Sequence, residues 1–245
     1  MPEKLQKKSS QFVPASNQSQ AVAWRISEGL VDYQKALAEM ELCVSQILHH
    51  QGNEQAWLLE HAALYAAGAS AKDVDLIEAR FPIHSSRRGG MFTYHGPGQR
   101  VIYLMLDLSR RRRDVRAFIS AIENWLITTL AEFGVEAVRH DARVGVWVPR
   151  PQKPRGLNGE IAEDKIAAIG VQIRKWVSFH GVALNICPDL SHYSGIVPCG
   201  IGAKHLGVTS LQDLGINADR KEVDQVLRKN FEIYFGLTKD HTKNC

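Results

Sequence analysis

The run "VIYLMLDL", Val101 to Leu108, constrains the fold of this 245-residue chain more than any other segment. Seven of its eight residues are apolar, with no alternation of apolar and polar positions. Such a continuous run predicts a buried strand, covered on both sides, rather than a strand with one face in water. The chain must therefore supply other elements to cover it.

Three amphipathic segments have the spacing of helices. Residues 32–49 place Tyr33, Leu37, Met40 and Val44 on one face. Asp114 caps a second helix that continues to Phe133 and ends at Gly134, and a third helix spans about 221–235. Further strands are predicted at 55–59, 135–138, 144–148, 165–173 and 182–187. Helices near both ends with strands between them predict a single α/β domain with a mixed β-sheet flanked by helices.

The ends of the chain and one internal loop differ in composition from the rest. Residues 1–21 are rich in Ser, Gln and Lys and are expected to form a disordered tail. A single folded domain is predicted at 22–238, followed by a short tail at 239–245. Residues 149–164, "PRPQKPRGLNGEIAED", form a hairpin loop that is long enough to be either mobile or functional.

The composition is that of an ordinary soluble protein, with 44% hydrophobic and 23% charged residues. No apolar run approaches the ~20 residues of a membrane span, and the first residues carry no secretory signal pattern. Four scattered cysteines favour a reducing, cytoplasmic location. The net charge of +4 permits acidic partners without indicating nucleic acid.

Two cysteines and one lysine are the first candidates for chemistry. Cys199 lies between Pro198 and Gly200, which favours a rigid turn over a core strand. Cys187 follows "ALNI" and is expected to be buried and inert. Lys165 opens an apolar strand, where a lysine is usually a solvated strand end.

Other polar clusters are weaker candidates. The histidines His95, His180, His192 and His205 are too widely spaced to predict a metal site. The arginines at 110–113 are either a solvated loop or a docking patch for an acidic partner. The glycine-rich segment 87–99 could cradle a phosphate or form a hairpin, but the chain has no Walker A loop and no Rossmann fingerprint.

Three motifs together carry a family resemblance: "RGGMFTYHGPGQ", "KIAAIGVQIRKWVSFHGVALN" and "IVPCG". In this order and spacing they resemble the lipoyl(octanoyl) transferases, and the resemblance covers about residues 25–236. Two departures accompany it. The segment "EHAALYAAG" lacks the proline and threonine often found there, and the loop at 149–164 is longer than usual.

The resemblance implies a fold and an activity. The fold is that of the biotin and lipoate ligases, which also resembles class II aminoacyl-tRNA synthetases. The activity is transfer of an octanoyl group from octanoyl-acyl carrier protein to a lysine of a lipoyl domain, through a cysteine thioester. The acceptors are the lipoyl domains of 2-oxoacid dehydrogenases and the glycine cleavage H protein. No cofactor, metal, nucleic acid or membrane is implied.

The resemblance also implies site residues. Cys199 is the nucleophile and Lys165 activates it. The segments that line the acyl site are Arg88, Gly89, Gly90, Met91, Phe92, Thr93, Tyr94 and His95, then Ala168, Ile169 and Gly170, and finally Gly181, Val182 and Ala183.

The residue types suit this chemistry. A free cysteine is only a few per cent thiolate at pH 7, so a lysine beside it is useful. The lysine could stabilise the thiolate as an ammonium, or take its proton as a neutral amine, and the sequence leaves both roles open. Two other functions compete: an ATP-dependent lipoate or biotin ligase on the same fold, and a non-catalytic module that binds carrier domains.

Overall fold

The computed structural model describes residues 21–198 and 201–241. These residues form both helices and strands, as expected. Asp32 and Asp114 accept hydrogen bonds from the backbone N–H of Lys35 and Ala117 and so begin two helices, as predicted. The helices are α1 (Tyr33–Leu48), α2 (Val115–Ala131) and α3 (Arg220–Phe235). The strands are β1 (Val22–Leu30), β2 (Gln55–Glu60), β3 (Leu64–Ala67), β4 (Ile83–Ser85), β5 (Phe92–His95), β6 (Gln99–Met105), β7 (Val138–His140), β8 (Arg143–Pro149), β9 (Glu163–Arg174), β10 (Val177–Asn185), β11 (Leu206–Val208) and β12 (Thr238–Asp240).

The described strands form one large and one small sheet. The large sheet has the order β12-β1-β2-β6-β10-β9-β8-β7, and β11 pairs with β9 outside this path. It is mixed, because β12, β1 and β2 run parallel while the strands from β2 to β7 pair antiparallel. The small sheet has the order β4-β3-β5.

Helices cover both faces of the large sheet. Side chains alternate along a strand, so Ala56 and Leu58 of β2 enter the core under α2 and α3, with Phe118, Trp125 and Phe231. Trp57 and Leu59 enter the core under α1, with Met40 and Val44. The predicted α/β architecture is therefore confirmed, and β6 is buried along its whole length.

Several element boundaries differ from those predicted. The prediction of a strand at 135–138 is wrong. The N–H of Val135 donates to Leu130 O at the end of α2, and β7 begins only at Val138. β6 ends at Met105 because Asp107 caps a short 3-10 helix, Leu108–Arg110. The prediction contained no strand for β1, β3, β4, β11 or β12. Lys239 and Asp240, expected in a C-terminal tail, belong to β12 and pair with β1.

The described helices are all too short or too polar to cross a lipid bilayer. The predicted disordered tail lies almost entirely outside the described residues.

Candidate active site

A cavity of about 370 Å³ opens where β6, β9 and β10 meet the glycine-rich segment around Arg88. Its volume falls in the range of small-molecule sites. Most of the residues that the sequence assigned to the site line it. They are Arg88, Gly89, Gly90, Thr93, His95, Lys165, Ala168, Ile169, Gly170, Gly181, Val182 and Ala183.

Strand β5 divides its side chains between this cavity and a separate aromatic cluster. Thr93 and His95 line the cavity. Phe92 and Tyr94 point the other way, into a core cluster with Tyr65. Among the described residues, those two and Met91 are the predicted site residues that lie outside the cavity wall. Alternation along the strand explains Phe92 and Tyr94, whereas Met91 precedes β5.

Strands β9 and β10 bring the two halves of the motif "KIAAIGVQIRKWVSFHGVALN" side by side. Gly170 pairs with Gly181 and Ala168 with Ala183 in an antiparallel register. The glycine-rich segment then docks on β9, where Gly89 N donates to Val171 O at 3.2 Å. A Cβ on Gly170 would lie 3.1 Å from Gly89 O, so glycine permits this close approach.

Arg88 holds the glycine-rich segment in its conformation. Only 7% of the residue is exposed, and its guanidinium donates to three backbone carbonyls. Nη2 bonds to Ala66 O at 2.6 Å and to Met91 O at 2.9 Å, and Nη1 bonds to Gly89 O at 3.0 Å. Arg88 therefore ties this segment to β3 and places a positive charge in the cavity wall.

Lys165 is buried, and the expectation of a solvated strand end is wrong for it. The residue is 6% exposed, sits third in β9 and pairs with Trp147 of β8. Its Nζ lies 4.6 Å from the centre of a Trp147 ring. Gly145 of β8, at φ +128°, leaves room for the lysine, since a Cβ there would lie 3.1 Å from Lys165 Cε.

Cys199 lies outside the described residues, but the chain on both sides of it reaches this cavity. Pro198 and Ile201 line the wall together with Lys165. Further along, Val208 of β11 pairs directly with Lys165. On the N-terminal side of Cys199, Val197 N donates to Asp75 O at 2.7 Å.

The other described cysteines differ from each other. Cys187 is exposed, so the expectation that it is buried is wrong. Its backbone N–H is held by Gly98 O at 2.9 Å, just after β10 ends, and the strand no longer covers its side chain. Cys43 is half-buried on α1, and burial raises the pKa of its thiol to about 11.

Two of the four noted histidines enter the cavity wall, and both are kept neutral. Burial, with His61 as a second cause, lowers the pKa of His95 to about 3. Burial and the charge of Arg88 lower the pKa of His180 to about 4. His95 Nδ1 donates to Gln99 Oε1 at 2.7 Å, which fixes its orientation.

Sequence reasoning missed several other groups at the site. Tyr103 lines the cavity and donates to Nε2 of the fully buried His61 at 2.8 Å, while Nδ1 of His61 donates to Val31 O. Asn185 accepts from Gln99 Nε2 at 3.0 Å and donates to Thr209 O at 2.9 Å. Tyr33 carried a weak signal, because the helical pattern had already placed it inward.

The four arginines at 110–113 differ in their contacts and in their exposure. Arg111 has only 3% of its side chain exposed and pairs with the buried Glu54. Arg110 also reaches Glu54, at 3.3 Å. Arg112 and Arg113 are exposed. Arg111 is therefore committed to the interior, whereas Arg110 keeps 31% of its side chain exposed.

Comparison with known proteins identifies the family of this chain. Residues 32–232 match the lipoyl protein ligase A/B catalytic domain. The chain belongs to this family. An octanoyltransferase of Brucella melitensis is 54% identical over 94% of this chain and 87% of its own length. One of Dinoroseobacter shibae is 58% identical over 87% of this chain and 96% of its own length.

Solved structures agree on the fold. An archaeal bipartite lipoate protein ligase from Thermoplasma acidophilum superposes with a TM-score of 0.62 at 14% identity, over 91% of this chain and 88% of that one. A lipoate-protein ligase A bound with ATP gives 0.61, also at 14% identity, over 91% and 90%. The predicted lipoate ligase fold is confirmed. The prediction of an acyltransferase that transfers octanoyl groups in protein lipoylation is confirmed by the curated relatives.

Proposed function

We propose that the cavity binds the octanoyl chain of octanoyl-acyl carrier protein, that Cys199 accepts it as a thioester and that Lys165 activates the thiol. One observation carries the proposal: the buried Lys165 shares a cavity wall with Pro198 and Ile201, which lie on either side of the Cys199–Gly200 pair in the sequence. A lysine is costly to bury, so its burial at this wall favours a chemical role over a structural one.

The cavity wall supports an acyl substrate. Val101, Ile169, Val182 and Val208 supply apolar surface. The histidines of the wall are neutral at physiological pH, because their pKa values are about 3 and 4. An alkyl chain is thus surrounded by apolar or uncharged groups over most of the wall, with Arg88, Arg143 and Lys165 as cations.

The reaction proceeds in two transfers. The Cys199 thiolate attacks the thioester carbonyl, a new C–S bond forms, and the carrier's sulfur leaves as a thiolate that takes up a proton. The target lysine, as a neutral amine, then attacks the enzyme thioester. An amide forms, the C–S bond to Cys199 breaks, and the amine gives up one proton. A thiol suits both steps because it attacks thioesters readily and leaves readily.

The macromolecular partners follow from this chemistry. The donor is octanoyl-acyl carrier protein, and the acceptors are lipoyl domains, including those of 2-oxoacid dehydrogenases and the glycine cleavage H protein. The exposed Arg112 and Arg113 are the remaining candidates for contact with an acidic carrier. The cytoplasmic location expected from the sequence stays part of this proposal.

Intact-mass analysis after incubation with octanoyl-acyl carrier protein tests the mechanism. We expect one octanoyl adduct on the native protein and on Cys187→Ala, and none on Cys199→Ala. Cys187 is a suitable matched control because its thiol is exposed. Lys165→Ala should acylate slowly and recover partly at high pH, where the thiol ionises without help.

The outcomes separate the competing functions. Loss of the adduct in Cys187→Ala with retention in Cys199→Ala would identify the other cysteine as the nucleophile. Modification of a lipoyl domain that needs ATP and free octanoate, without any adduct, would show a ligase. Binding of the carrier without any transfer would show a non-catalytic module.

A further inference from the structure

The ring of Trp147 lies against two cations. Lys165 Nζ is 4.6 Å and Arg143 Cζ is 4.5 Å from the centre of a Trp147 ring. Trp147 is fully buried, and its indole N–H donates to Arg143 O at 3.2 Å. The pairing of Trp147 with Lys165 across β8 and β9 fixes one of these contacts by strand register.

Both cations line the cavity, in different surroundings. Arg143 forms an ion pair with Glu163, which also accepts from His140 at 3.0 Å. Lys165 lies in the cavity wall together with the residues that flank Cys199 in the sequence. The face of an indole attracts a cation more strongly than any other aromatic ring, and the attraction grows when the cation is shielded from water. A neutral amine gains no such attraction.

We propose that Trp147 is a positioning residue that holds Lys165 as an ammonium at the cavity wall, so that the lysine stabilises the Cys199 thiolate by charge. The alternative role, in which a neutral Lys165 removes the thiol proton, requires the ammonium to lose a proton, and with it the attraction to the ring, before the reaction begins. This inference rests on the proposed function, because it assumes that Cys199 and Lys165 act together.

The packing around Lys165 supports a fixed position. Gly145 leaves space for Cε and Cδ, with distances of 3.1 and 3.5 Å from the Cβ that any other residue would place there. Glu123 of α2, which is buried, accepts from Gly145 N at 3.1 Å and so holds this part of β8. Lys165 O accepts from Thr209 N at 3.0 Å on the opposite side.

Other titratable groups share this environment and set the background of any pH profile. Asp164 precedes Lys165 in β9 and pairs with Lys153 at 2.5 Å. Burial raises the pKa of Glu123, while Arg139 and the Gly145 N–H act against that rise. The charged or titratable groups on the described elements around Lys165 and in the cavity wall are Arg88, Glu123, Arg143, Glu163, Asp164, His95, His180, Tyr33, Tyr103 and Tyr193.

A series of fluorinated tryptophans incorporated at position 147 alone tests the proposal. Fluorine weakens the negative face of the ring while nearly keeping its shape. The measurement is the single-turnover rate of Cys199 acylation by octanoyl-acyl carrier protein, taken as a function of pH. The matched control places the same series at Trp57, which does not line the cavity. Arg25 Cζ lies 3.9 Å from the centre of the Trp57 ring.

The two roles of Lys165 predict different changes in the pH profile. If Trp147 holds the ammonium beside the thiol, a weaker ring contact reduces the charge stabilisation of the thiolate, so the acid limb of the profile moves to higher pH as fluorine is added, by up to about 1 pH unit. If Lys165 is a neutral base, the acid limb moves to lower pH instead, and the proposal is wrong. Profiles that do not move, or that move equally with the Trp57 series, also overturn it.

Failure of the proposed function would look different. In that case Lys165→Ala would acylate at the native rate, or Cys199→Ala would still form the adduct, whatever residue occupies position 147. If those two variants behave as expected and only the fluorinated series leaves the profile unchanged, the role of Trp147 alone is refuted. Trp147→Leu, if it folds, should lower the acylation rate with little change in carrier KM.

Discussion

At the scale of single residues, the buried pair of Arg100 and Asp224 connects β6 to α3. Arg100 Nη2 lies 2.6 Å and Nε 2.8 Å from the two carboxylate oxygens, and neither side chain is more than 6% exposed. Removing one charge leaves the other buried without compensation, which costs more than breaking a pair in water. The pair therefore couples a helix to the strand that the sequence first identified.

We expect Asp224→Asn to lower the free energy of unfolding by about 3–5 kcal/mol, measured by urea denaturation. Asp240→Asn is the matched control. It breaks an arginine pair of 2.5 Å whose carboxylate is 83% exposed, so its cost should stay below about 1 kcal/mol. Equal losses in the two variants would contradict the importance of burial.

At the scale of elements, β9 and the glycine-rich segment fit together through the close approach at Gly170. An added methyl group there would meet Gly89 O at 3.1 Å and Arg88 Cδ at 3.2 Å. The segment would have to shift by a few tenths of an ångström and change the cavity wall. Gly170→Ala should therefore reduce kcat/KM for octanoyl transfer more than for transfer of a short acyl group. Gly202→Ala, where a Cβ meets open space, should leave both rates unchanged. A uniform loss for both chain lengths would count against a role in acyl binding.

The hairpin between β8 and β9 is a second element with a distinct prediction. Its base is fixed, because Arg150 N donates to Ala162 O at 2.7 Å and Lys153 pairs with Asp164. Its tip carries Leu157 fully exposed. We expect residues 149–164 to be mobile only at the tip, so limited trypsin treatment should cut after Arg155. The control site is the tight β9–β10 turn at Lys175, which should resist. Earlier cleavage at Lys175 would show the prediction to be wrong.

At the scale of the whole molecule, stability depends on pH through the buried histidines. The folded pKa values of His95 and His180, about 3 and about 4, lie below the ordinary value of 6.5. The unfolded chain therefore binds protons below pH 6.5 that the folded chain refuses. The contribution of these histidines to the free energy of unfolding is fully present above pH 6.5. It is lost as the pH falls toward 4, by roughly 1.4 kcal/mol per pH unit for each histidine.

Urea midpoints between pH 7.5 and 4.5 measure this loss. We expect the free energy of unfolding of His95→Gln to depend less steeply on pH than that of the native protein. The difference in slope should be roughly the contribution of one histidine. His49→Gln, at an exposed residue just after α1, should leave the slope unchanged. Identical slopes for the native protein and His95→Gln would refute a neutral, buried His95.

The sequence by itself determined the local features of this protein. Helical spacing and the aspartate cap at 114 located the helices, because these signals act within a few residues. The run at 101–108 required a sheet covered on both faces. Three motifs led to the family and to most of the cavity wall, since they carry residues of fixed spacing.

Only the tertiary structure decided what depends on residues far apart in the chain. It buried Lys165 against Trp147, paired Arg111 with Glu54, and exposed Cys187 where β10 ends. It also brought Tyr33 of α1 and Tyr103 of β6 to one cavity, and assembled β3, β4 and β5 into a small sheet. Burial, charge pairing and strand partners arise from contacts across the fold, and a residue's neighbours in sequence do not specify them.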